Sequence, residues 1–206
     1  MTDNYKKNLK LLTENHVYSK EMEHDACGVG VIASTEGKKS REIVEYGIEA
    51  LKAVWHRGAV DADGKTGDGA GIHVEIPKDF FIEKIEVTGH DYDNAEICVG
   101  MIFLPRNDYA AQESCKTIVE SELTKNNFSI YGWRQVPVNP KVLGDKALQT
   151  MPEIIQVLFK SNDNNLLDKK LERKIYETRK RIENKAFQLS LNNFYVCSIS
   201  SKSIIY

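Results

Sequence analysis

The run Ile97-Cys98-Val99-Gly100-Met101-Ile102-Phe103-Leu104-Pro105 sets the fold class through what surrounds it. It is an apolar stretch of strand length. A helix is expected after it, over about 109–125, followed by strands at 128–138 (FSIYGWRQVPV) and 154–160 (IIQVLFK). Between 166 and 187, Leu167, Leu171, Ile175 and Ile182 give a helical stripe. The opposite face is rich in Lys and Arg, but Glu and Asp interleave with KKLERK and RKR, so it reads as a solvated helix face. NNFYVCSIS, Ser-Lys and SIIY then read as a β-hairpin. Upstream, Ile72-His73-Val74-Glu75-Ile76-Pro77 is an alternating strand closed by proline. Ser40 is placed to cap a helix carrying Ile43, Val44, Ile48, Leu51, Val54 and Trp55 at helical spacing, ending at His56-Arg57-Gly58. Residues 27–34, CGVGVIAS, have the small and β-branched composition of a buried strand. Strands and helices are mixed without regular β-α-β alternation, which predicts an α+β arrangement of antiparallel sheets flanked by helices.

At 206 residues, with 41% apolar and 28% charged side chains and a formal net charge of −2, the chain has enough material for one domain with a core. That balance speaks against a nucleic-acid partner. The first 24 residues are polar and rich in Lys, Asn and Glu, with a weak helical pattern around Leu9, Leu11 and Leu12, and read as a loosely held leader. They contain no apolar core of a signal peptide, and no later run approaches the roughly 20 apolar residues of a membrane helix. A cytoplasmic location and no membrane partner are expected. Cys27, Cys98, Cys115 and Cys197 lie far apart without a C-x-x-C pair, which fits neither a disulfide framework nor a zinc site. Cluster-ligand spacing is also absent, so no metal or cofactor is expected in this chain.

Within His24-Asp25-Ala26-Cys27-Gly28-Val29-Gly30, the cysteine allows three readings. Free cysteine is among the most buried residue types, so Cys27 fits a small apolar residue at the start of a strand. A conventional thiol nucleophile needs a base such as His16, His24, His56, His73 or His90, and no motif singles one out. The third reading takes the base from the chain itself. Cleavage of Ala26-Cys27 would give Cys27 a free α-amino group, with a reference pKa near 8, able to shuttle the thiol proton. Gly28 and Gly30 remove bulk beside such a nucleophile. Residues 1–26 would then be a propeptide, and 27–206 the domain.

Cys27-Gly-Val-Gly followed by His56-Arg57-Gly58 resembles the class II glutamine amidotransferases, whose nucleophile is an N-terminal residue. HDACGVGVIA, HRGAVDADGKTGDGAGIHVEIP, ERKIYETRKRIE and FYVCSISSKSIIY are similar, from about His24 to Tyr206, to the amidotransferase domain of the glutamate synthase large subunit. The resemblance implies an αββα sandwich, glutamine as substrate, Cys27 as nucleophile and base, and Arg57 as an active-site cation. Gly28, His56, Gly58, Gly67, Asp68 and Gly69 would line the substrate. The alternatives are a helix C-terminal cation for Arg57, packing of the helix end for Trp55 and His56, and a turn role for Asp68. For a complete glutamate synthase the resemblance also implies FMN, an iron–sulfur cluster, the remaining large-subunit domains and an NAD(P)H-oxidising small subunit.

The family's carboxylate-binding Arg-(Phe or Tyr)-Ser-Thr segment, its His-Asn-Gly-Glu oxyanion segment and its later aspartate are not found before Tyr206. An incomplete domain of low activity is therefore expected. The alternatives are an N-terminal-cysteine acylase of the same fold, or a non-catalytic remnant serving as an interaction module.

Overall fold

A computed structural model describes residues 3–14, 28–54 and 58–206. The first described element is helix α1 (Asp3–Glu14). Helix α2 (Arg41–Ala53) begins as expected at Ser40, whose hydroxyl accepts from the Ile43 N–H at 3.3 Å. It ends at Ala53 with Val54 as its C-cap, earlier than the His56-Arg57-Gly58 end read from the sequence.

The main sheet is four-stranded and antiparallel, in the order β3 (Phe128–Gln135), β4 (Glu153–Ser161), β2 (Cys98–Leu104), β5 (Tyr195–Ser200). Strands β2 and β4 are central and buried on both faces, which is why they read as continuous apolar runs rather than as an alternation. Helices α4 (Tyr109–Lys125) and α6 (Asp168–Gln188) cover one face. Their Cys115, Ile118, Val119, Leu123, Leu171, Ile175 and Ile182 form one core with Cys98, Ile102, Leu104, Val157 and Phe159. Asp108 caps α4 by accepting from the Ala111 N–H at 2.9 Å. Glu122, only 5% exposed, crosses from α4 to the Lys185 ammonium on α6 at 2.5 Å. Pairing and hydrogen bonding satisfy a charge that would otherwise be costly to bury.

On the other face, α3 (Lys78–Val87) and a two-stranded ribbon of β1 (His73–Glu75) and β6 (Ser203–Ile205) close a second core. It contains Ile76, Phe81, Ile85, Ile97, Val99, Met101, Tyr131, Leu158 and Ile204. The molecule is thus layered as helices, sheet, and a smaller second sheet with α3, an α+β architecture of antiparallel strands flanked by helices. Tyr131 is an extra residue in β3: Ile130 pairs with Phe159 and Gly132 with Leu158. Gly132 has φ +150 there, and a Cβ on it would lie 2.9 Å from Thr88 Cγ2, so α3's end and the bulge fit only around glycine.

Two sequence expectations are corrected. Residues 28–34 form no strand, and Val29 and Val31 are 89% and 87% exposed. Their small and β-branched composition suits a strand, but a strand also needs a hydrogen-bonding neighbour, and the β1–β6 ribbon and the main sheet leave this segment without one among the described residues. The expected hairpin at 192–206 is also not a hairpin: β5 pairs with β2 and β6 with β1. The reason lies in the corner between them. Glu172 of α6 accepts from Ser201 N–H and Oγ–H, both at 2.7 Å, and from Ser200 Oγ–H at 2.9 Å. The Lys202 carbonyl accepts from Ile76 N–H at 3.0 Å. These bonds turn the chain off the main sheet and onto the ribbon.

Helix α3 and the short helix α5 (Asp145–Thr150) had no sequence expectation. The Phe81 and Ile85 pair, one turn apart after Pro77, was the available signal for α3.

Candidate active site

Of the residues singled out for chemistry, Cys27, His56 and Arg57 lie outside the described residues. Of the others, Gly58, Gly67, Asp68 and Gly69 lie in one loop, 58–69. Gly28 and Gly58 are exposed and in no helix or strand. The loop's neck is closed by Asp68, whose Oδ2 accepts from the Ala59 N–H at 2.7 Å, and by a backbone bridge between Val60 and Gly67. Gly69 has φ +95, a conformation that side chains rarely adopt, and lets the chain turn out of the neck toward β1. Gly67 and Gly69 thus flank the clamp, and Asp68 has a turn-closing bond, which is the alternative given for it above.

At the tip, the Asp61 N–H donates to Thr66 O at 2.8 Å and the Gly64 N–H to Asp61 O at 2.9 Å. The Asp63 carboxylate accepts from the Thr66 hydroxyl at 2.6 Å, and from the backbone N–H groups of Thr66 at 2.7 Å and Lys65 at 2.9 Å. Those bonds hold its carboxyl well below the ordinary carboxylate range, the Thr66 hydroxyl contributing most. The tip rests on the start of α5. Lys146 Nζ reaches Asp61 Oδ2 at 2.6 Å, and the Ala147 N–H donates to Thr66 Oγ1 at 3.4 Å. The backbone amide of Lys146 adds to the stabilisation of ionised Asp63. A Cβ at Gly144 would lie 2.3 Å from both Asp63 Oδ2 and Thr66 Oγ1, so glycine there is what admits the loop. Sequence reading missed Asp61, Asp63, Thr66, Gly144 and Lys146. The Asp-x-x-Thr spacing of 63 and 66 signals a local turn, but nothing local links it to a helix 81 positions away.

The described cysteines lean away from nucleophilic chemistry. Burial drives the Cys98 thiol strongly upward, helped by the Glu172 and Glu96 charges. Burial, with Asp108 adding, pushes Cys115 up to about 11, and burial also raises Cys197. The His73 ring engages Ser203 Oγ at 2.7 Å and the His90 ring Thr88 Oγ1 at 3.1 Å. Among the described residues, no three His, Cys, Asp or Glu side chains are gathered as a metal site, and no helix is long and apolar enough to cross a membrane.

Comparison with known proteins supplies the family. The model of the class II glutamine amidotransferases matches residues 27–206. The chain is 51% identical over 202 residues to the glutamate synthase [NADPH] large chain of Azospirillum brasilense, covering 98% of this chain and 13% of that protein. It is 38% identical over 204 residues to the ferredoxin-dependent glutamate synthase of Pyropia yezoensis, covering 96% of this chain and 13% of that protein. To the ferredoxin-dependent glutamate synthase 1 of Arabidopsis thaliana it is 39% identical over 186 residues, or 89% and 11% of the two chains. The chain therefore spans about an eighth of the length of these relatives. With four-fifths or more of its residues inside the matched region, the chain belongs to the class II glutamine amidotransferase family.

Proposed function

We propose that this chain provides the glutaminase part of a glutamate synthase, releasing ammonia from glutamine with Cys27 as nucleophile. The observation that carries this reading is that the family match begins at Cys27 itself. That start supports a leader of 1–26 whose removal exposes the Cys27 amine. The suppressed thiols of Cys98, Cys115 and Cys197 support it further, because they are poorly suited to the same task.

In this mechanism the Cys27 thiol passes its proton to its own α-amino group as sulfur bonds to the side-chain carbonyl carbon of glutamine. The protonated amine gives that proton to the leaving nitrogen, the C–N bond breaks, and ammonia departs. Water, deprotonated by the same amine, then cleaves the thioester to glutamate and restores the thiol. Arg57 would favour the thiolate electrostatically. The ammonia would aminate 2-oxoglutarate in the remaining domains, where FMN and an iron–sulfur cluster would supply the electrons. The described residues here offer no gathered ligand set for such a cluster, and no step above passes through either group. A small NAD(P)H-oxidising subunit belongs to the same proposal, as does a cytoplasmic location.

The test uses the protein that carries this chain. Cys27→Ser should abolish both glutamine hydrolysis and covalent capture by 6-diazo-5-oxo-norleucine, and retained hydrolysis would overturn the assignment. Mass spectrometry of the mature protein should find Cys27 as its first residue.

A further inference from the structure

We propose that the loop 58–69 is held in its working position by docking its tip on the start of α5, with Asp61, Asp63 and Lys146 as positioning residues for the glutaminase site. This rests on the reading above and extends it to residues far from the nucleophile in sequence.

Three observations carry the inference. The loop is closed twice, at its neck by Asp68 on the Ala59 N–H and at its tip by Asp63 on Thr66 and Lys65, so its two ends are tied to one another. Its neck starts at Ala59, two residues after Arg57 in the sequence, so by chain length alone a docked neck tethers Arg57 to within about 8 Å of a fixed Ala59. The docking partner is built to receive it. Gly144 offers α5 no side-chain cap, the Asp63 carboxylate lies against that uncapped start, and a Cβ at Gly144 would collide with both Asp63 and Thr66. Lys146 adds a charge-assisted bond to Asp61 from the same turn. A loop that needed only to close on itself would require neither the glycine nor the lysine of α5.

Positioning groups act through geometry, where a displacement of about 1 Å can cost up to about 100-fold in rate. Asp63→Ala and Lys146→Met, each in the protein that carries this chain, should lower kcat/KM for glutamine about tenfold or more. Capture by 6-diazo-5-oxo-norleucine should slow in proportion, and Lys146→Arg should restore most of the loss. Hydrogen exchange read by mass spectrometry should show faster exchange at Lys65, Thr66 and Ala147 in the first two variants, with the strands of the main sheet unchanged. Faster exchange at those amides with unaltered kcat/KM would overturn the positioning role alone, as would unaltered exchange. No glutamine hydrolysis by the unaltered protein would overturn the glutaminase reading, and the inference with it.

Discussion

A thiol reacts through its thiolate, and burial opposes that form at Cys98, Cys115 and Cys197. Brief exposure of the native protein to iodoacetamide at pH 8 is therefore expected to alkylate Cys27 first. Peptide mapping that found Cys98 or Cys115 labelled as fast as Cys27 would contradict this. Asp93 makes a second argument at this scale. Its carboxylate takes bonds from the Lys160 ammonium and from the Tyr131 hydroxyl, the latter at 2.7 Å, and these hold it at about 2. A folded-state pKa below the unfolded value means a contribution that is present above about pH 4 and is lost as the pH falls toward 2. Asp93→Asn should therefore flatten the acid limb of a stability-versus-pH curve over that window and leave its slope above pH 5 unchanged. Because Asp93 is half exposed, the effect should also shrink in high salt.

At the scale of elements, the corner between β5 and β6 decides whether the chain makes one sheet or two layers. Ser201 is 1% exposed, and its N–H and hydroxyl both donate to Glu172. Glu172→Ala leaves a buried amide without its acceptor and should cost about 1–3 kcal/mol in chemical denaturation. Glu177→Ala removes only an exposed ion pair to Arg173 one turn away on the same helix, and should cost at most about 0.5 kcal/mol. Equal losses for the two would mean that Glu172 does not hold the corner. This corner also explains an error of sequence reading. A turn signal between two apolar runs looks alike whether the runs pair together or part company, and here the deciding group sits about 30 residues away on α6. By contrast β2 and β4 were legible because double-sided burial writes a continuous apolar run locally, and α6 because Leu171, Ile175 and Ile182 recur on one helical face. The segment 28–34 has the small and β-branched composition of a strand yet no pairing partner among the described residues, and composition carries no information about partners. The candidate site divides the same way. Cys27 and Arg57 stand in a recognisable motif, whereas the contact of Asp63 with α5 joins two unremarkable stretches that meet only in the fold.

Across the whole molecule, burial is unevenly shared. The main sheet with α3, α4, α6 and the β1–β6 ribbon holds both cores. Helix α2 buries no residue completely, and residues 28–40 form no helix or strand and are almost all exposed. Local opening costs least where few apolar contacts are lost, so the part of the chain flanking Cys27 and Arg57 lies at the low-stability end. Amides of 99–103 and 155–159 are expected to exchange only through global unfolding, and those of α2 and the loop 58–69 through smaller openings at least about tenfold faster. If α2 exchanged as slowly as β2, it would have to be covered by packing that the described residues do not supply. A glutamine analogue bound at the candidate site should slow exchange in α2 and the loop selectively, since a ligand stabilises most the states that carry its contacts. Protection gained only in the main sheet would place the ligand elsewhere.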